Sequence, residues 1–96
     1  MNRDENPNQD TAQAELGGQV YNARVEQARD SAFVEVWGDH GYDVDARVPT
    51  TDARLEMTRA LEGTSTLPEN VAGVLRQAGL IFQRHDAGAP TGAAGE

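Results

Sequence analysis

An α+β fold with the order β-β-β-α-α-β is predicted for this chain, and three observations in the sequence carry the prediction. Two stretches alternate apolar and polar residues with the period of a half-buried strand. A third stretch between them is apolar on nearly both sides. Beyond Pro49 the apolar residues instead recur every three to four positions, the spacing of helices with one buried stripe.

Residues 1–17 are polar, include Pro7 and show no period, so they are expected to form a flexible N-terminal tail. The folded unit is placed at residues 18–85. Its first strand runs from Tyr21 to Gln27, with Tyr21, Ala23 and Val25 on one side and Asn22, Arg24 and Glu26 on the other. Ala32 to Trp37 forms the middle strand, and Tyr42 to Val48 the third, with Tyr42, Val44, Ala46 and Val48 sharing its apolar side.

Turn chemistry sets the register of this antiparallel meander. If Asp39-His40-Gly41 is a three-residue loop, Gly41 supplies the left-handed residue that closes such a hairpin. Val36 then opposes Val44, Val34 opposes Ala46 and Ala32 opposes Val48. A two-residue loop would set Val36 against Asp43 and mix charge with apolar surface on both faces. In the other hairpin, a loop at Ala28 to Ser31 pairs Val25 with Val34 and Ala23 with Val36.

Pro49 ends the third strand. Thr51 or Asp52 caps a short helix to about Glu62 with Ala53, Met57, Ala60 and Leu61 on its stripe, and Gly63 stops it. Thr66-Leu67-Pro68-Glu69 has capping-box spacing and opens a second helix, with Leu67, Val71, Val74, Leu75 and Ala78 facing inward and Gly79 as its end. Leu80-Ile81-Phe82 is then read as a fourth strand added at the sheet edge. Residues 86–96, almost wholly Gly, Ala, Pro and Thr, are read as a flexible C-terminal tail.

Composition narrows the function classes. Sixteen acidic against eight basic residues give a formal charge of −8, which repels phosphate backbones and anionic bilayers. Direct nucleic-acid binding is disfavoured on that ground. The chain has no cysteine and no lysine, so thiolate, disulfide and Schiff-base chemistry are excluded. No apolar run suits a leader or a membrane span, and the expected location is cytoplasmic.

No enzyme is expected. Ser31, Ser65, the threonines, His40 and His85 are the raw material for a nucleophile and base, yet none sits in a nucleophile elbow or a phosphate cradle. Asp39, His40, Asp43 and Asp45 cluster around one turn but match no calcium-loop spacing, so no metal or cofactor is assigned. Asp43 to Pro49 followed by two helices resembles the ribbon-helix-helix repressors in element order alone. The outward strand residues that would touch DNA are here Asp43, Asp45 and Arg47, and the family is not assigned.

The register singles out the outer sheet face, away from the helices. Its rows are Glu26–Phe33–Arg47, Arg24–Glu35–Asp45 and Asn22–Trp37–Asp43. Two large aromatics, Phe33 and Trp37, stand there among Arg24, Glu35, Asp43, Asp45 and Arg47, the composition of an aromatic anchor within a charged rim. The opposite expectation is that Arg47 stacks on Phe33 and a tail covers Trp37. The function expected is a small acidic interaction module, a regulator, inhibitor or assembly adaptor, binding a protein partner or a second copy through this face or the Leu80–Phe82 edge. The alternatives are an acidic mimic of nucleic acid that occupies a DNA- or RNA-binding protein, and a DNA-binding regulator using the two helices.

Overall fold

A computed structural model of the chain describes residues 9–93. Six elements follow in order: β1 (Gln9–Leu16), β2 (Gln19–Gln27), β3 (Ala32–Gly38), β4 (Asp43–Val48), α1 (Ala53–Glu62) and α2 (Glu69–Ala93). The strands form one antiparallel sheet in the order β1-β2-β3-β4.

The predicted meander stands in its predicted register. Val36 pairs with Val44, Val34 with Ala46 and Ala32 with Val48, while Val25 pairs with Val34 and Ala23 with Val36. Gly41 takes φ +94° and donates its N–H to the Gly38 carbonyl. The His40 ring folds back over Gly38, where a Cβ would lie 2.6 Å from His40 Cε1. There it meets Tyr21 edge-on at 5.3 Å and stacks with Tyr42 at 6.0 Å, so aromatic rings cover the strand glycine.

Two expectations are corrected. Residues 9–16 are not tail: they form β1, the fourth strand of the same sheet, joined to β2 by Gly17-Gly18 with both residues at positive φ. That pair is the preferred chemistry of a two-residue hairpin loop. Leu80-Ile81-Phe82 is not a strand, and Gly79 does not end α2, which runs on through residues 86–93 of the predicted C-terminal tail. Ile81 and Phe82 continue the spacing of Leu75 and Ala78 and are buried with them, so a helix hides apolar surface that a strand would split between two faces. The remaining tail positions, 1–8 and 94–96, lie outside the described residues.

Gly79 packs where the helices meet. A Cβ there would stand 3.0 Å from Leu61 Cδ1 and 3.3 Å from Met57 Cβ. α2 crosses all four strands while α1 leans on α2. Asp52 caps α1 by accepting the Leu55 N–H at 3.1 Å, and Gly63 closes it in the left-handed conformation. α2 starts at Glu69, directly after Pro68, whose carbonyl accepts the Ala72 N–H at 2.8 Å.

The core joins Ala12, Ala23, Val25, Ala32, Val34, Val36 and Val48 of the sheet to Ala53, Met57 and Ala60 of α1 and Leu75, Ala78, Ile81 and Phe82 of α2. Tyr21, Tyr42 and Val44 pack at its margin. Gln27 ties the sheet to the helices: its Nε2 donates to the carbonyls of Ser31 (3.0 Å) and Thr50 (2.8 Å), and its Oε1 accepts from Ala53 N at 3.3 Å. Among the described residues no helix is long and apolar enough to cross a membrane.

Candidate functional site

The helices pack against the inner face, with Val25, Val34 and Val36, and among the described residues α2 meets the outer-face residues only through His85 at β1. Strand alternation sends Arg24, Phe33, Glu35, Trp37, Asp43, Asp45 and Arg47 to the outer side, opposite the buried Val25, Val34 and Val36. All seven predicted site residues therefore share one face. β1 extends the rows, adding Gln9 beside Glu26, Thr11 beside Arg24 and Gln13 beside Asn22.

Hydrogen-bond phase decides how closely the outer side chains approach. Gly38 donates to the Tyr42 carbonyl at 2.9 Å, so this pair is hydrogen-bonded. The alternation then makes Trp37–Asp43, Glu35–Asp45 and Phe33–Arg47 non-hydrogen-bonded pairs, whose side chains lie closest in an antiparallel ladder. Glu35 and Asp45 are thus like charges at the short spacing, a pairing that costs on the order of 0.2–1 kcal/mol.

The two aromatics have different surroundings. Phe33 lies between two guanidiniums, with Arg24 Cζ 5.7 Å and Arg47 Cζ 5.8 Å from its ring centre, within the range of a cation–π contact. Arg24 also pairs with Glu35 at 3.2 Å and Glu26 at 3.4 Å, and Arg47 Nη1 reaches Ser31 Oγ at 3.5 Å. The Arg47 contact with Phe33 is the one the covering alternative expects. Trp37 is half-buried and lines a shallow depression of about 330 Å3 with Thr11, Ala12 and Gln13 of β1, Asn22 and Ala23 of β2, and His85.

The depression depends on a strand absent from the expected fold. Thr11 and Gln13 belong to β1, and the Gln13 side chain donates to Asn22 Oδ1 at 3.0 Å. His85 of α2 also borders the depression, its Nδ1 3.1 Å from the Gln13 carbonyl. The Gly17-Gly18 pair and the Ala12, Ala14, Leu16 alternation are the sequence signals that point to these additional lining residues.

The Asp39, His40, Asp43 and Asp45 turn does not gather its side chains into one site. His40 is packed with Tyr21 and Tyr42, whereas Asp43 and Asp45 lie on the outer face. Among the described residues no three His, Asp or Glu side chains group to hold a metal ion. No family model, curated protein or solved structure matches this chain.

Proposed function

We propose that this chain is a non-enzymatic interaction module that binds another protein through its outer sheet face, with Trp37 as anchor. The single observation that carries the reading is the position of Trp37, half-buried on the outer sheet face and lining a depression that runs over β2 to β1, where His85 of α2 borders it. A large aromatic beside charged side chains is the usual composition of a binding hot spot. Asp43, Asp45, Glu35, Arg24 and Arg47 form the rim, and Phe33, held under its two arginines, serves as a rigid neighbour. The Leu80–Phe82 segment has no part in this reading, because it lies in α2.

The test uses a partner isolated with the wild-type chain and then purified for direct binding. Trp37→Ala is expected to weaken that complex by about 2 kcal/mol or more, roughly thirty-fold, with the melting curve nearly unchanged. A variant that melts lower yet binds its partner normally assigns Trp37 to stability and ends the proposal. Sedimentation of the wild-type chain separates this outcome from self-association.

A further inference from the structure

We infer that the outer face on the β4 side of Trp37 receives an arginine or lysine from a basic segment of another protein, its head group lying between the indole ring and the carboxylates of Asp43 and Asp45. The inference rests on the outer face being an interaction surface and adds the chemistry of the partner. Charge complementarity selects the occupant. Asp43 stands directly across from Trp37, and Asp45 directly across from Glu35.

The face's own cations are engaged elsewhere. Arg24 is bound by Glu26 and Glu35, while Arg47 lies over Phe33 and contacts Ser31. Among the described residues neither Asp43 nor Asp45 takes part in an ion pair. An incoming guanidinium or ammonium gains the face of an indole, the best ring for cation–π attraction, together with charge-assisted hydrogen bonds to the aspartates. It also offsets the repulsion between Glu35 and Asp45.

The same charges disfavour the other occupants of an open sheet face. A second copy would bring another chain of net charge −8 against this one, and phosphate backbones meet the same repulsion. An acidic segment would add to the Asp43–Asp45 field. A basic segment alone is attracted at long range and matched at contact.

Trp37 is the only tryptophan, so its emission reports occupancy directly. The experiment titrates the full chain with a peptide of alternating arginine and serine, and with its glutamate counterpart, at roughly 50 and 300 mM salt. Three proteins are compared: wild type, Asp43→Asn/Asp45→Asn, and Glu62→Gln/Glu69→Gln, which removes the same charge from the helical side. The expected result is a saturable change in Trp37 emission with the arginine peptide and none with the glutamate peptide. Affinity should fall about tenfold or more in the aspartate variant and less than about twofold in the glutamate variant. Equal losses in the two variants, or no saturable binding of the arginine peptide, overturn the inference. If a purified partner is lost with Trp37→Ala but kept by Asp43→Asn/Asp45→Asn, the interaction surface stands and the cationic occupant is rejected.

Discussion

Glu35 sits between opposite neighbours, the Arg24 guanidinium at 3.2 Å on one side and Asp45 across the close pair on the other. Removing the second charge should help the fold even where it harms binding. Asp45→Asn is therefore expected to stabilise by about 0.2–1 kcal/mol in urea denaturation, while the proposed cationic contact weakens. Gly41→Val has the reverse character, because φ +94° suits glycine and strains a β-branched residue. Its expected cost is about 1–2 kcal/mol, read from the same denaturation curves, and an unchanged midpoint would remove the turn's special role. This turn was legible in the sequence because the wrong loop length would have set Val36 against Asp43. Gln27 was not, since its partners Thr50 and Ala53 lie 23 and 26 residues away, and no local pattern announces a side chain that bridges a sheet and a helix.

Elements were legible where apolar side chains were large and alternated cleanly, as in β2, β3 and β4, and obscure where they were small. The inner side of β1 offers Ala12, Ala14 and Leu16 but also Asp10, so its period-two signal is weak, and the Gly17-Gly18 turn was the stronger clue. Asp10 is accommodated by a 2.8 Å ion pair with Arg54 rather than by burial. Gly79 misled for a different reason, since a glycine near a helix end and a glycine at a helix crossing look the same in one dimension. Its role at the crossing gives a direct expectation: Gly79→Leu should force Leu61 and Met57 away and destabilise by about 1–3 kcal/mol in thermal or urea unfolding. Leu75, fully buried in α2, should cost about 2–5 kcal/mol as Leu75→Ala. A loss below about 0.5 kcal/mol would place it outside the core. The outer-face rows followed from the register and were legible with it, whereas the depression beside Trp37 needed β1 and was not.

For the molecule as a whole, a modest core works against a large charge. Seven of the buried core residues are alanine, from Ala12 to Ala78, which lets α2 lie close to the sheet but hides little apolar area per residue. With a net charge of −8, self-repulsion opposes compaction, and added salt should relieve it. The melting temperature is expected to be higher in about 0.5 M sodium chloride than in about 20 mM, and a fall would show that the surface ion pairs outweigh the repulsion. Arg54 holds Asp10, at the start of β1, and Asp86, in the last stretch of α2, with the same guanidinium, at 2.8 and 3.4 Å. The start of β1 and the α2 turn at Asp86 therefore meet within a side chain's reach. Joining Asp86 to Gln9 with a glycine-serine linker of about six residues, leaving out the residues before Gln9 and after Asp86, and reopening the chain in the 64–68 connection, should give a circular permutant with a cooperative melt. The same geometry lets the unit be set into a loop of a host protein.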